Sequence, residues 1–519
     1  MIHVVIAGAG IAGVPAAYAM KNRLGPQDKV TVVSNTDYFS FVPSNPWLAL
    51  GWRHRGDIAF PIGPSLAERE IDFIPQALKK VDGANSQVEL ADGSKLAYDY
   101  LILATGPEAA FDEIEGLDPA QGAVHSVLHI DDAAKTYADY QQFIKNPGPL
   151  VIGAVQNSSI LGPVYEFAFL ADADLRRRNL RDQVPITLLT PEPYVGHLGL
   201  GAESDTRRLL EQALAARDIH YLTNVKTKKI ERGVVHFAEC DAQGNEARTG
   251  EVAFGYSVYW AAFRGIRALR ESAGLTDVRG FVITDDYLRS PAFPNIFAVG
   301  VCGAHSSVSE SPLPIGAPDS VYAIQNEVDA SVRNIVAAIN GETLTSPAPL
   351  RAKWLSDMSH SGAAYHSEPQ IPLRNINWLK EGRWVHLAKV EFENYFINKI
   401  KLKPPAAGVS VDSHIATLMR KLQSPPDEIA LADTTLQTFS QPLEVRLQQD
   451  SNYDLQALAK MLGQPQSVLA SALLASALQD AKSLLQGAQR DDLQNVRHDL
   501  MLADLPENQP GVAFHGGGT

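Results

Sequence analysis

The N-terminal run His3-Val4-Val5-Ile6-Ala7 is apolar without alternation, the pattern of a strand buried on both faces. It runs into Gly8-Ala9-Gly10-Ile11-Ala12-Gly13 and then a helical stretch from Val14 to about Asn22. A second apolar strand, Val30-Thr31-Val32-Val33, follows at the spacing of a βαβ unit. Three more such runs end in glycine: Tyr98–Leu103 before Ala104-Thr105-Gly106, Leu150-Val151-Ile152 before Gly153, and Asn295–Val299 before Gly300. With Ile186-Thr187-Leu188-Leu189 they predict an α/β protein with two Rossmann-like units. Further on, Val385, Ala388, Phe392, Tyr395 and Phe396 follow helical spacing and predict an amphipathic helix.

After Pro404-Pro405 the pattern is helical without strands. One helix is expected over Leu455–Leu462, broken by Gly463-Gln464-Pro465. Ser467 is placed to cap a second helix to about Leu485, with Leu474, Leu478, Ala481 and Leu485 on one stripe. A short third helix spans Asp491 to Leu502, and Phe514–Thr519 is expected to be flexible. The expected organisation is a first dinucleotide domain in two parts (1–115 and 276–345), a second Rossmann-like domain (116–275), an interface segment (346–403) and a helical module (404–519).

The first glycine run has the chemistry of a dinucleotide cradle. Gly8 makes a tight turn, Gly10 lets the backbone approach a pyrophosphate, and Gly13 lets helix pack on strand. Ile11 and Ala12 then present backbone N–H groups at a helix N-terminus, where the dipole favours phosphate. Pro15 falls in the first turn, where a missing N–H costs little. The second strand ends in Ser34-Asn35 rather than the acid that usually holds the ribose, so this motif alone does not choose between FAD and NAD. The second unit departs further. After Gly153 the next glycine is Gly162, too far for a compact phosphate turn, and the following strand ends in Thr190-Pro191. This unit is expected to keep the fold without binding NAD(P)H.

Composition narrows the partners. The chain has 519 residues, 45% of them hydrophobic, with a net charge of −14. That excess of acid excludes a general nucleic-acid binder, including a helix-turn-helix reading of the C-terminal module. Cys240 and Cys302 are the only cysteines, so there is no disulfide framework, and no Cys/His group has metal-site spacing. Cys240 is read as structural, at a strand end. Because a strand starts at His3, no secretory leader is expected, and no run of about 18 apolar residues suggests a spanning helix. The default compartment is the cytoplasm, with attachment to the inner face of the plasma membrane left open. Residues 376–403 carry six basic and three acidic residues with interfacial aromatics, which suits an anionic surface or, equally, a core helix with a solvated edge. The module at 404–519 has 7 basic and 13 acidic residues and is expected to dock a second copy or another protein.

The strand–glycine pattern at Thr105-Gly106 and Gly300-Val301 resembles the two-dinucleotide-domain flavoproteins, in which both turns back onto the flavin; this selects FAD. More narrowly, residues 1–403 resemble the sulfide:quinone oxidoreductase family. The stretches that carry the likeness are Asp37–Trp47 with Gly51-Trp52, Gly162–Phe167, Glu192–Gly199, Pro314–Pro318 and Gly382–Val390 with Tyr395-Phe396. The resemblance implies cofactor contacts at Gly8, Gly10, Ile11, Ala12, Gly13, Ser34, Asn35, Pro43, Ser44, Ala77, Thr105, Gly106, Gly300 and Val301. Val301 stands where many members have an acid for the ribitol, so that contact is expected from backbone N–H groups. It implies a quinone or other acceptor pocket at Phe392, Tyr395 and Phe396. The family's three catalytic cysteines fall at Leu128, Ile160 and Trp354, none of them Cys; Asp132 and Asp319 replace an expected His and Lys. Cys302, near the flavin in the family's chain path, is a weak redox candidate or a small buried hydrophobe. The expected function is FAD-dependent oxidation of an unidentified reductant without persulfide chemistry. The alternatives are a catalytically degenerate binding or regulatory subunit, and genuine sulfide oxidation through Cys302.

Overall fold

The computed structural model describes residues 1–201, 204–304, 310–316, 320–347, 352–359, 361–368 and 376–401. The chain divides into Met1–Lys403 and Pro404–Thr519. The helices expected at 455–462, 467–485 and 491–502 and the 514–519 end lie outside the described residues, as does Asp319.

The first sheet is parallel and five-stranded, in the order Ile296–Ala298, Tyr100–Leu103, His3–Ala7, Lys29–Val33, Asp72–Ile74. Its strands are apolar on both faces because helices and loops cover both. The cradle helix, Gly13–Lys21, crosses between the first two strands and buries nearly its whole length. Helix Val321–Ile339 packs beside it, capped by the Ser320 side chain. The second sheet is also parallel, in the order Ile219–Leu222, Ile186–Leu189, Leu150–Ala154, Tyr256–Trp260. Helix Gly162–Arg177 belongs to it, and an antiparallel meander (Val225–Glu231, Val234–Cys240, Glu246–Ala253) shares an apolar cluster with it. The α/β class with two Rossmann-like units is therefore what the chain adopts.

The C-terminal part of the described chain is an antiparallel sheet of three strands, Ala352–Asp357, Gly362–Glu368 and Ile376–Glu381, leading into helix Arg383–Lys401. That helix is mainly a core element. Val385, Val390, Phe396, Ile397 and Ile400 are buried, while Glu391, Asn394, Tyr395, Asn398, Lys399 and Lys401 form an exposed edge. Its end is tied to the cradle helix by the Tyr18 hydroxyl, which donates to the Ile400 carbonyl at 2.8 Å.

A single carboxylate ties helix Gly162–Arg177 to two other segments, the turn at Trp52 and helix Ile130–Phe143. Asp174 is fully buried and accepts hydrogen bonds from Trp52 Nε1 (3.1 Å), the Tyr140 hydroxyl (3.0 Å), Arg177 (2.6 Å) and Arg178 (2.6 Å). Burial alone would raise its proton affinity, but the bonds from Arg178, Trp52 and Arg177 pull the carboxyl below its ordinary value.

Candidate functional site

Three turns meet at the carboxyl edge of the first sheet. Gly8 has φ +118°, and a Cβ there would lie 2.1 Å from the Ala104 carbonyl oxygen. A Cβ on Gly13 would lie 1.8 Å from the Gly8 oxygen. Gly10 differs, because nothing lies within 4 Å of its Cβ position. Its missing side chain therefore serves an approach from outside, not packing. A Cβ on Gly300 would come 3.4 Å from the Ala12 Cβ, which brings the third turn against the first. Gly8, Gly10, Ile11, Thr105, Gly106 and Val301 keep accessible surface, while the strands behind them are buried. The result is a glycine-floored trough at a helix N-terminus with no acid in the first turn, which fits a dinucleotide-type cofactor.

The flanking contacts are uneven. Asn35 is exposed beyond the second strand, whereas Ser34 is buried with its hydroxyl 3.3 Å from the Thr36 hydroxyl. Pro43 and Ala77 are half-buried. Ser44 is fully buried, and its hydroxyl donates to Glu393 on the C-terminal helix. The Gly300 N–H donates to Glu327 Oε2 at 2.7 Å.

Beside Ser44 lies a buried polar network that sequence reasoning missed. Glu393 also accepts from Arg53 Nε at 2.8 Å, and Arg53 and Lys389 lie 4.4 and 4.9 Å from the Trp47 ring centre. Trp47 Nε1 donates to Asp357 at 2.9 Å; His386 Nδ1 lies 2.9 Å from the other Asp357 oxygen. The Asp357 N–H reaches Glu166 at 3.3 Å, and Lys389 Nζ donates to Glu166. Burial pushes the Glu166 carboxyl upward even with Lys389 beside it. Around this network the rings of Phe39, Phe41, Phe392 and Phe396 pack together, with Phe41–Phe396 centroids 5.4 Å apart.

In the second unit the corresponding loop is committed inward. Gly153 faces the Tyr259 ring, 2.3 Å from where its Cβ would be. Ser158 is buried and donates to the Trp260 carbonyl at 2.9 Å; the Asn157 N–H donates to Pro314 at 2.7 Å. An acid does stand past the Ile186–Leu189 strand, two residues beyond Thr190. This is Glu192, fully buried, accepting from Thr190 Oγ1 (2.7 Å), the Leu198 N–H (2.7 Å) and the Tyr165 hydroxyl. Burial pushes its carboxyl upward.

Residues 2–323 match the profile of the pyridine nucleotide-disulphide oxidoreductase family. The sulfide-quinone reductase of Aquifex aeolicus (strain VF5) is 35% identical over 402 residues, 77% of this chain and 91% of that one. The chain belongs to this family. The solved structure of the Aquifex aeolicus sulfide:quinone oxidoreductase superposes with a TM-score of 0.72 at 34% identity, covering 77% of this chain and 92% of that one. A more distant relative is the type II NADH:quinone oxidoreductase of Staphylococcus aureus (strain NCTC 8325 / PS 47), 23% identical over 363 residues, 66% of this chain and 83% of that one. The chain is thus a flavoprotein-type oxidoreductase resembling sulfide:quinone oxidoreductase.

The expected site residues fall in unlike settings. Of the three positions at which the resemblance implies thiols, Leu128 is half-buried against two apolar clusters and Ile160 is half-buried at φ +56°, a left-handed conformation unusual for a β-branched residue. Trp354 lies on strand Ala352–Asp357, and its side chain is outside the described residues. Cys302 does not face the trough. It is fully buried, its Sγ 3.2 Å from the Leu103 oxygen and 3.3 Å from the Val299 oxygen, and burial pushes the thiol up to about 11. That is the setting of a packed hydrophobe, not of a nucleophile. The Ser44 hydroxyl donates its proton to Glu393, and the Gly300 N–H donates to Glu327. Phe392, Tyr395 and Phe396 do not form one pocket wall: Phe396 is enclosed, Phe392 is half-buried, and Tyr395 is 57% exposed. Phe392 and Phe396 pack on the rings of Phe39 and Phe41, and Tyr395, on the rim of the same face, is left to solvent. Among the described residues no helix is long and apolar enough to cross a membrane, and no group of side chains could hold a metal.

Proposed function

We propose that this chain is an FAD-dependent oxidoreductase that accepts electrons without cysteine-persulfide chemistry and delivers them to a quinone. One observation carries the reading: Cys302 is sealed beneath the trough, where burial pushes its thiol up to about 11, and the positions at which the resemblance implies the family's thiols are Leu128, Ile160 and Trp354. FAD, when bound, supplies reversible two-electron acceptance. The N–H groups of the Gly10–Gly13 turn would hold its phosphates, and Thr105-Gly106 and Val301, on the other two turns of the trough, would contact the rest of it. Apolar side chains at Leu128 and Ile160 favour an uncharged organic reductant over a small anion. Glu166, raised by burial and held by Lys389, can keep a proton inside the protein. Tyr395 and the 42% exposed Val42 flank the Phe41–Phe392 pair and offer an apolar surface for a membrane-borne quinone, with Lys399 and Lys401 on the same exposed edge. The inward commitment of Ser158, Asn157 and Glu192 supports a second unit that does not bind NAD(P)H.

An anaerobic titration followed by flavin absorbance tests this. The protein should be yellow, unchanged by sulfide or NADH, bleached by dithionite and recoloured by a short-chain quinone. Bleaching by sulfide would overturn the thiol-free reading. Bleaching by NADH would overturn the reading of the second unit. A colourless protein that cannot be reconstituted with FAD would favour the binding-subunit alternative.

A further inference from the structure

The cradle helix has a gap in its hydrogen-bond ladder. The Val14 N–H donates to Gly10 at 3.2 Å and the Ala16 N–H to Ala12 at 3.0 Å. Between them the Ile11 carbonyl would take the N–H of residue 15, but residue 15 is proline and has none. The gap is filled from 314 positions down the chain. Gln325, in the first turns of helix Val321–Ile339, donates Nε2 to the Ile11 oxygen at 3.0 Å. Its amide orientation is set from the other side, where Lys399 Nζ lies 3.4 Å from Gln325 Oε1. Two residues on, Glu327 takes the Gly300 N–H, so the same helix secures two of the three turns of the trough.

We propose that Gln325 is a positioning residue of the cofactor site, acting through Ile11. The peptide unit is planar, so an Ile11 carbonyl held on Gln325 fixes the Ala12 N–H in the opposite direction, away from the helix and toward the phosphate side of the turn. Proline at 15 and glutamine at 325 are then one device: the proline removes the local donor, and the distant amide replaces it while tying the cradle to the C-terminal helices. This inference rests on the FAD reading above.

The experiment is a double-mutant cycle in the full-length protein with Pro15→Ala and Gln325→Leu, read as FAD affinity by flavin fluorescence and as Tm of the flavin-free protein. Gln325→Leu should weaken FAD binding about fivefold by leaving a partly buried carbonyl without its donor. Pro15→Ala restores an N–H at the right place, so Pro15→Ala/Gln325→Leu should bind FAD within about twofold of Pro15→Ala alone, with the Tm loss rescued in parallel. An additive cycle in both readouts overturns the proposal. Rescue of Tm without any FAD binding would keep the Ile11–Gln325 bond and reject the flavin reading. If the leucine variant does not accumulate, Gln325→Glu takes its place, since it keeps the length and lacks the donor.

Discussion

Asp174 illustrates how much one side chain can hold at the residue scale. It collects four donors from Trp52, Tyr140, Arg177 and Arg178, while its own carboxylate is out of water. Asp174→Asn keeps the shape but removes the charge that Arg177 and Arg178 face. Because those arginines are partly exposed, the loss should sit at the lower end for a broken buried pair, about 3 kcal/mol, measured by urea unfolding at pH 7. The pH dependence has a definite sign. Asp174 is held below its unfolded value, so its contribution is complete above the ordinary carboxylate range and is lost as pH falls through the folded value. The parent protein should therefore lose stability faster than Asp174→Asn on acidification below about pH 4. Equal slopes would count against this assignment.

At the scale of elements, the glycine turns and the long C-terminal helix were legible in sequence, and their neighbours were not. Gly8, Gly10 and Gly13 are readable because each answers a local backbone need within six residues. The helix Arg383–Lys401 is readable because its apolar spacing survives in one segment. The Ser44–Glu393 and Trp47–Asp357 bonds join positions 349 and 310 residues apart, and no local pattern encodes such pairs. The same gap explains the misreading of Phe392, Tyr395 and Phe396 as one wall: spacing gives a face, but only packing on Phe39 and Phe41 shows which ring is enclosed. Phe396→Ala should accordingly cost about 3–4 kcal/mol in chemical denaturation, whereas Tyr395→Ala should change stability by less than about 0.5 kcal/mol. A large loss from Tyr395→Ala would mean that its ring is covered in solution.

For the molecule as a whole, the trough, both sheets and the buried network all belong to Met1–Lys403. A chain ending at Lys403 should keep the parent's flavin content per protein and unfold within about 2 °C of the parent's flavin-domain transition, checked by absorbance and calorimetry. Loss of flavin on truncation would assign the 404–519 segment a part in the site. The order in which the chain is made has a further consequence for the first sheet. Strand Tyr100–Leu103 waits for Ile296–Ala298, almost 200 residues later, and Gln325 follows later still. Contacts of such sequence separation form slowly and late. During synthesis the nascent chain therefore emerges with an incomplete cradle, and it can capture its cofactor only after most of the oxidoreductase portion has left the ribosome.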